Sequence, residues 1–350
     1  MVTMESAAAK TNPASPAELF QPTPFVAHPL FRGGFLQTIA PRYLPAVNCL
    51  VDQRHQVDLE DGDALVLHQS DPQVSTGDTK DQQEAVPNLV LYHGLGGCHR
   101  SQYMQRITDG ALALGWRVYR VDMRGCGQAI DLASGINHAG RSDDVAAALE
   151  FVGQRHPAGQ LFAAGVSLGG NQLLRFLGRV GAGQDARPAW FCRLLAAVAV
   201  VPPIDLVACS HNMQRLSRRI YNHYFIKALF DSIGTRARQQ AAFQQLLSGR
   251  RPRTLWELDE RLTAPLSGFA GAKEYYESSS SAAVAPQIDL PCLVVSAKDD
   301  PIIPAGCFAG VQWSATTTWL GCKSGGHAGF VGPGRVPWID RCVLQWLQRF

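Results

Sequence analysis

The stretch Gly165–Gly169, which reads G-V-S-L-G, decides the fold predicted for this chain. An apolar run, Leu161–Ala164, precedes it, and a segment with helical periodicity, Asn171–Leu177, follows it. Strand, sharp turn and helix are the context of a G-x-S-x-G nucleophile elbow, because its glycines let the backbone turn without a Cβ clash. The pattern predicts an exposed, nucleophilic Ser167. The same five residues also suit a glycine-rich turn with a capping serine, so the neighbouring segments must decide.

Strand-like and helix-like segments alternate on both sides of this turn. Short apolar segments predict strands at Asn88–Tyr92, Trp116–Val121, Leu161–Val166, Leu195–Val201, Cys292–Ser296 and Thr316–Leu320. Segments with a period near 3.6 predict helices at Gln102–Leu114, Asp143–Arg155 and Pro337–Phe350. Such alternation is typical of a parallel sheet covered by helices. We therefore predict an α/β protein with a mostly parallel central sheet and helices on both faces.

Two further features divide the chain. Alternating residues around an Asp-Gly turn predict a hairpin that gives the sheet an antiparallel edge. Residues 205–286 show helical patterns without a clear strand, so we expect a helical cap over the carboxyl edge of the sheet, where ligands bind in such folds. The core would then comprise residues 25–204 and 287–350. Residues 1–24 are rich in Ala, Pro, Ser and Thr, and we expect them to form a mobile N-terminal segment.

A serine nucleophile needs a general base, because its hydroxyl is weakly acidic at neutral pH. His327 is the best candidate, since it lies in a glycine-rich loop, Lys323–Phe330, directly after the last predicted strand. The imidazole in turn needs a carboxylate that fixes its tautomer. Asp299 and Asp300 both follow a predicted strand. We favour Asp300, at the start of a proline turn, and expect Asp299 to cap or face solvent. The order Ser167, Asp300, His327 suits a G-x-S-x-G enzyme.

Acyl transfer also needs hydrogen-bond donors for the oxyanion that develops on the substrate. The glycine-rich segment His93–Gly97, H-G-L-G-G, follows a predicted strand. We expect the backbone N–H groups of Leu95 and Leu168 to be the two donors, and His93 to brace the loop. The segment does not match a dinucleotide-binding loop, because G-x-G-x-x-G would need glycine where His99 stands.

Two other patterns compete with this interpretation. Cys98 and Cys126 are candidate nucleophiles, but neither has an adjacent motif. His138 and Asp143 have the H-x-x-x-x-D spacing of some acyltransferases, yet that spacing is common by chance. Asp143 also suits a helix N-terminus, where a negative side chain interacts favourably with the helix dipole. We therefore assign catalysis to neither pattern.

Composition limits the partners and cofactors of the protein. The 350 residues are 46% hydrophobic and 17% charged, and 32 basic and 29 acidic residues give a net charge of +3. This balance gives no reason to expect a nucleic-acid partner. The nine cysteines include no C-x-x-C pair, which argues against a zinc site and favours reduced thiols in a cytoplasmic protein. We predict no metal and no cofactor.

The apolar segments bear on membranes. The N-terminus lacks the apolar core of a secretory signal. The longest apolar run, Leu194–Val201, is too short to cross a bilayer, which needs about 20 residues. We therefore expect no transmembrane segment, while a peripheral membrane contact and the oligomeric state stay open.

The chain resembles the YheT-like α/β-hydrolases, the bacterial relatives of the eukaryotic abhydrolase-domain proteins one to three. The similarity runs from about His28 to the C-terminus and includes His28–Thr38, His93–Gly97, Asn137–Gly140, Gly165–Asn171, Glu257–Pro265, Gly268–Phe269, Tyr275–Tyr276, Asp299–Pro301 and Gly325–Phe330. It implies the α/β-hydrolase fold and an esterase- or lipase-like activity, with short-chain esters or monoacylglycerols as substrates. Eukaryotic relatives also include acyl-CoA-using transferases and phospholipid hydrolases. One departure is Ala297, where many hydrolases have glycine, and it leaves the triad intact.

These features predict a serine carboxylic-ester hydrolase that acts through an acyl-enzyme on a small-molecule ester or a lipid-like substrate. An acyltransferase with the same triad is an alternative, because water and an alcohol compete for one acyl-enzyme. A non-catalytic binding module is another. The cap would set the acyl-chain preference. Its larger apolar residues either line a pocket or pack within the cap: Phe225, Leu229, Phe230, Phe269, Tyr275 and Tyr276.

Overall fold

A computed structural model describes residues 20–43, 52–73, 85–231 and 233–350. Most of the segment predicted to be mobile, residues 1–19, lies outside these ranges. The described strands are β1 Gln53–Asp58, β2 Ala64–Ser70, β3 Asn88–Tyr92, β4 Arg117–Asp122, β5 Leu161–Val166, β6 Leu194–Val200, β7 Cys292–Ala297 and β8 Thr317–Cys322. They form one sheet in the order β1-β2-β4-β3-β5-β6-β7-β8.

The directions of the strands place the loops that follow β3, β5, β7 and β8 at one edge of the sheet. The hairpin β1–β2 is antiparallel, and β2 also pairs antiparallel with β4. The remaining pairs, from β4 through β3, β5, β6 and β7 to β8, are parallel. Parallel strands bring their carboxyl ends to the same edge. The loops that follow β3, β5, β7 and β8 therefore meet there.

The helices are α1 Gly34–Ile39, α2 Gln102–Ala113, α3 Ser142–Arg155, α4 Leu168–Gly181, α5 Leu206–Met213, α6 Arg219–Asp231, α7 Thr235–Arg238, α8 Ala241–Ser248, α9 Leu255–Leu258, α10 Ala264–Leu266, α11 Ala272–Ser279, α12 Gly306–Ala309 and α13 Trp338–Leu347. The last helix, α13, is shorter than the predicted Pro337–Phe350. Pro337 is its N-cap, and the helix ends at Leu347. Within the described ranges, no helix is long and apolar enough to cross a membrane.

Helices cover both faces of the sheet. On one face, Leu173 of α4 belongs to the same apolar core as Ala163 of β5. On the other, Ile107 of α2 and Trp346 of α13 share a core with Phe162 of β5. Successive residues of β5 thus enter different cores, which is the pattern of a parallel strand buried on both sides. The predicted α/β fold is confirmed.

The segment between the end of β6 at Val200 and the start of β7 at Cys292 is a helical insertion. It contains α5 to α11, and its described residues include no strand. Several of its apolar side chains, among them Phe243 and Leu246, form an apolar cluster together with Ile136. A single π turn, Asp259–Thr263, comes just before Pro265. Proline has no N–H, so regular α-helical hydrogen bonding cannot continue through it.

Gly178 in α4 tests the packing between the core and the helical insertion. A Cβ at this position would lie 2.4 Å from the Val284 carbonyl oxygen. Gly178→Ala should lower the free energy of unfolding by about 1–3 kcal/mol, because the backbone must shift. In α12, nothing lies within 4 Å of a Cβ built on Gly306. Gly306→Ala is therefore the matched control and should be neutral or stabilising by up to about 1 kcal/mol.

Chemical denaturation of both variants measures the two free energies. Equal unfolding free energies for Gly178→Ala and the unsubstituted protein would contradict the close packing described here.

Candidate active site

Ser167 lies in a tight turn between β5 and α4. Its backbone has φ 53° and ψ −118°, a conformation that L-residues rarely adopt. Its N–H donates to the Val200 carbonyl oxygen at 2.8 Å. The flanking glycines permit this turn: a Cβ on Gly165 would lie 2.4 Å from the Gly169 carbonyl oxygen, and one on Gly169 would lie 2.7 Å from that of Tyr92. This is the strand–turn–helix geometry of a nucleophile elbow.

The Ser167 hydroxyl begins a chain of hydrogen bonds. Its Oγ lies 2.9 Å from His327 Nε2, and His327 Nδ1 lies 2.9 Å from Asp300 Oδ2. With the Nδ1 proton donated to the carboxylate, Nε2 can accept the hydroxyl proton. Asp300 is 8% exposed, and its other oxygen accepts the N–H groups of Ile302 and Ile303 at 2.7 and 3.0 Å. The structure thus brings the three predicted side chains into hydrogen-bond contact.

The two adjacent aspartates have different partners. Asp299 Oδ1 accepts the Gly326 N–H at 2.9 Å, whereas Asp300 contacts the imidazole. Asp299 therefore ties its own loop to the loop that carries His327.

Two residues that sequence reasoning did not single out hold the His327 loop. Gln37 of α1 is fully buried and donates from Nε2 to two backbone carbonyl oxygens at 2.6 and 3.0 Å. Its Oε1 accepts the Val331 N–H at 2.7 Å. Thr38 Oγ1 accepts the N–H of His327 itself at 2.9 Å. In the sequence, both residues lie in His28–Thr38, one of the segments that carry the family resemblance, and no local pattern indicates that they hold the His327 loop.

The predicted oxyanion donors lie beside Ser167. Leu168 is the first residue of α4, so its N–H has no intrahelical acceptor. In the described part of the chain, neither that N–H nor that of Leu95 donates to a protein acceptor. Both residues line the cavity that also contains Ser167. Gly94 brings the loop close, since a Cβ there would lie 3.1 Å from the Ser167 Cβ. Two N–H groups are thus available near the serine.

His93 is buried and braces this loop. Its Nδ1 donates to the Gly94 carbonyl oxygen at 2.8 Å, and its Nε2 accepts the Met123 N–H at 3.3 Å. The Gly94 N–H is held by the Tyr103 hydroxyl oxygen at 2.9 Å. Both hydrogen bonds of the imidazole go to backbone groups, so the ring links the ends of β3 and β4.

A second buried cluster, His68, His99 and Asp122, lies under the same loop. Asp122 accepts the His99 N–H at 2.6 Å, and its Oδ2 lies 2.7 Å from His99 Nδ1 and 3.1 Å from His68 Nε2. Burial acts to raise the pKa of Asp122, but these hydrogen bonds hold it well below its usual range. The ligand atoms lie within 4.8 Å of one another, a spacing that would suit a metal ion. Each already has a hydrogen-bond partner inside the cluster, so we assign it a supporting role.

The competing patterns differ from the Ser167 arrangement. Burial raises the pKa of the Cys98 and Cys126 thiols, which opposes formation of a nucleophilic thiolate. His138 is 6% exposed, and burial lowers its pKa well below the usual value. The Asp143 side chain is instead 65% exposed and lies 3.7 Å from Arg141. The H-x-x-x-x-D pair therefore has one buried and one solvated member.

Ser167 opens into a cavity of about 100 Å³ under the helical insertion. Four of the six apolar residues considered for a pocket line it: Phe225, Leu229, Tyr275 and Tyr276. The other two, Phe230 and Phe269, pack within apolar clusters of the insertion. The lining also contains polar residues that sequence reasoning did not assign to a pocket, namely Asn137, Ser210, Asp259 and Thr263. The cavity is therefore mostly apolar with a polar portion.

Comparisons with known proteins identify the family of the chain. A family described as alpha/beta hydrolase fold matches residues 87–330. The chain is 29% identical over 338 residues to "Putative esterase YheT" of Escherichia coli (strain K12), covering 91% of this chain and 92% of that protein. It is 24% identical over 290 residues to "Medium-chain fatty acid ethyl ester synthase/esterase 2" of Saccharomyces cerevisiae, covering 76% and 62%.

A solved structure supports the fold. The esterase Pf2001 of Pyrococcus furiosus superposes with a TM-score of 0.55 at 13% identity, covering 88% of this chain and 99% of that chain. At this identity the likeness concerns the fold alone. The family match over residues 87–330 and the similarity to the putative esterase YheT confirm the resemblance found in the sequence. The chain belongs to the α/β-hydrolase family.

Proposed function

We propose that the protein is a serine carboxylic-ester hydrolase that works through an acyl-enzyme. The observation that carries this proposal is the continuous chain of hydrogen bonds from Ser167 through His327 to Asp300, at the mouth of a mostly apolar cavity. A hydroxyl, an imidazole and a buried carboxylate in this order are what acyl transfer requires. Relatives named as esterases support the same reaction class.

The proposed reaction has two halves. Ser167 Oγ attacks the ester carbonyl carbon while His327 Nε2 takes the hydroxyl proton, and Asp300 stabilises the resulting imidazolium. The N–H groups of Leu95 and Leu168 donate to the oxyanion of the tetrahedral intermediate. The intermediate collapses when His327 returns the proton to the leaving alcohol. A water molecule, deprotonated by the same imidazole, then attacks the acyl-enzyme and releases the acid.

We further propose that residues 205–286 act as a cap on a core formed by residues 25–204 and 287–350. Asn171, one turn into α4, supports this role because it joins the two parts. Its Nδ2 donates to the carbonyl oxygens of Ala139 and Ser279 at 3.1 and 2.9 Å, and its Oδ1 accepts the Ser281 N–H at 3.1 Å. The helices that line the cavity would then select the substrate.

The cellular setting is also a proposal. The cysteines within the described ranges are free thiols, which is the usual state in a reducing compartment. We therefore propose a cytoplasmic enzyme of small-molecule or lipid-like esters, without a nucleic-acid partner.

Acyl transfer to an alcohol is the second candidate. The yeast relative is named both a synthase and an esterase, which favours testing this reaction. Turnover of p-nitrophenyl butyrate in the presence of ethanol or glycerol separates the two activities. A hydrolase releases butyrate as the main product, whereas a transferase yields the ethyl or glyceryl ester in proportion to the alcohol added.

Replacement of the nucleophile is the first test of the proposed function. Ser167→Ala should lower kcat for p-nitrophenyl acetate and butyrate by about ten-thousandfold or more, because no acyl-enzyme can form. Its thermal unfolding temperature should stay nearly unchanged. Ser248→Ala removes an exposed hydroxyl in α8 and is the control with full activity.

A fluorophosphonate probe should label the unsubstituted protein and not Ser167→Ala. Absence of labelling in the unsubstituted protein would favour a non-catalytic binding module.

The adjacent aspartates provide a matched pair of variants. Asp300→Asn should lower kcat by about a thousandfold to ten-thousandfold, because an amide cannot hold the catalytic tautomer of His327. Asp299→Asn, one residue away, should retain most of the activity and mainly weaken the tie to Gly326. Steady-state kinetics on p-nitrophenyl butyrate measures both. The reverse ranking would show that Asp299 is the acid of the triad.

A further inference from the structure

We infer that an exposed apolar face with basic residues around it, formed by α1 and the start of α6, docks onto the surface of an anionic phospholipid bilayer. Five side chains define this docking face: Phe35, Leu36, Leu216, Ile220 and Tyr224. Binding to a bilayer needs no turnover, so this interaction goes beyond the proposed ester hydrolysis.

The side chains of the docking face are large, apolar and exposed. Leu216 is 75% exposed and Ile220 is 67% exposed, and the other three are between 43% and 49% exposed. In the described part of the chain, eleven large apolar side chains are exposed, and these five come from only two short segments. Single exposed apolar residues are normal on a protein surface, whereas a cluster of them marks a place of contact.

The two segments of the docking face adjoin each other. Leu216 lies in a 3-10 turn that runs directly into α6. Ile220 and Tyr224 follow at intervals of four residues, so the three side chains share one side of the helix. Tyr221 is buried beside Ile220, and its ring lies 6.2 Å from the ring of Phe35 in α1. This contact joins α1 to α6, so the exposed residues of both helices form one face.

The docking face lies beside the candidate active site. On the opposite side of α6, Phe225 and Leu229 line the cavity that contains Ser167. Helix α1 also carries Thr38, whose Oγ1 accepts the N–H of His327. Apolar side chains therefore occupy two sides of α6, and the cavity accounts for only one of them.

The charge around the docking face is positive. Residues 20–41 and 211–230 contain no Asp or Glu. Four exposed basic residues lie within or next to the docking face: Arg32, Arg215, Arg219 and Lys227. Lys227 is paired with Asp231, so the three arginines supply most of the excess charge. Basic residues around exposed apolar side chains suit an anionic bilayer, because the arginines pair with lipid phosphates while the apolar residues enter the interface.

Two other partners fit the docking face less well. A second copy of the chain would place the arginines of both faces against each other, and like charges repel. A nucleic-acid duplex would pair with the arginines through its phosphates but would offer no apolar surface to Leu216 and Ile220. A bilayer supplies both the anionic and the apolar contacts.

Cosedimentation of the full chain with sucrose-loaded vesicles tests the inference. One set of vesicles contains phosphatidylcholine alone, and the other also contains about one third phosphatidylglycerol. We expect binding to the anionic vesicles to be at least about tenfold stronger, because each Arg or Lys near such a surface raises the affinity roughly fivefold.

Paired variants separate the apolar and the basic contributions. Leu216→Ser combined with Ile220→Ser should weaken binding to the anionic vesicles by about tenfold or more, because two apolar side chains no longer enter the interface. Arg215→Gln combined with Arg219→Gln should also weaken it by about tenfold or more, and should leave binding to phosphatidylcholine unchanged.

Leu114→Ser is the matched control. Leu114 is 40% exposed but lies just before the amino end of β4, at the opposite edge of the sheet. This variant should bind vesicles like the unsubstituted protein. All substituted side chains are exposed, so the thermal unfolding temperature of each variant should change little.

Binding of the unsubstituted protein decides the inference without any variant. Equal binding to the two kinds of vesicle, or binding to neither, would overturn it. An equal loss with Leu114→Ser would do the same, as would anionic binding that Leu216→Ser with Ile220→Ser leaves unchanged, since attraction of cations alone would then suffice.

Two further measurements cover the other partners. A dimer in size-exclusion chromatography that Ile220→Ser converts to a monomer would assign the docking face to a second copy. A DNA duplex that displaces the protein from anionic vesicles would assign it to nucleic acid. None of these results depends on ester hydrolysis, so failure of vesicle binding leaves the proposed function standing.

Discussion

The close approach of α4 to the end of β3 is the constraint on which the candidate site depends. A Cβ on Gly169 would lie 2.7 Å from the carbonyl oxygens of Tyr92 and His93, so only glycine allows this contact. The loop with Leu95 continues directly from these two residues, and Ser167 directly precedes the first turn of α4. One backbone contact therefore holds Ser167 beside the loop that carries Leu95. Under the proposed function, donors held in this way need no rearrangement as charge develops.

Buried hydrogen bonds fix the other members of the site. Gln37 and Thr38 reach the His327 loop from the far N-terminal part of the fold. Asp300 is held by two N–H groups of its own turn. The imidazole thus lies between Ser167 and Asp300, and hydrogen bonds to backbone N–H groups anchor both His327 and Asp300. For the proposed reaction, such preorganisation lowers the entropic cost of reaching a reactive geometry.

The cavity beside Ser167 differs from the hydrogen-bonded part of the site, because its wall is mostly apolar. Polar residues such as Asp259 and Thr263 interrupt this wall. The π turn before Pro265 matters here, because it carries both Asp259 and Thr263 on the cavity wall. π turns often occur at functional sites. The helical insertion is joined through Asn171 to the helix that begins directly after Ser167, so the cavity wall and the serine belong to one packed unit.

Local patterns were sufficient to predict the alternation of strands and helices and the turn at Ser167. They also indicated His327, because glycine-rich turns and strand-ending polar residues are short-range signals. They favoured Asp300 over Asp299 only by its position at the start of the proline turn, because neighbouring residues share most of their local context. The packing of two loops gives the two carboxylates different partners, the imidazole of His327 for Asp300 and the Gly326 N–H for Asp299. Gln37 was not predicted, because its partner Val331 lies on a segment distant in sequence, and burial of a polar group follows from the assembled fold rather than from its neighbours along the chain.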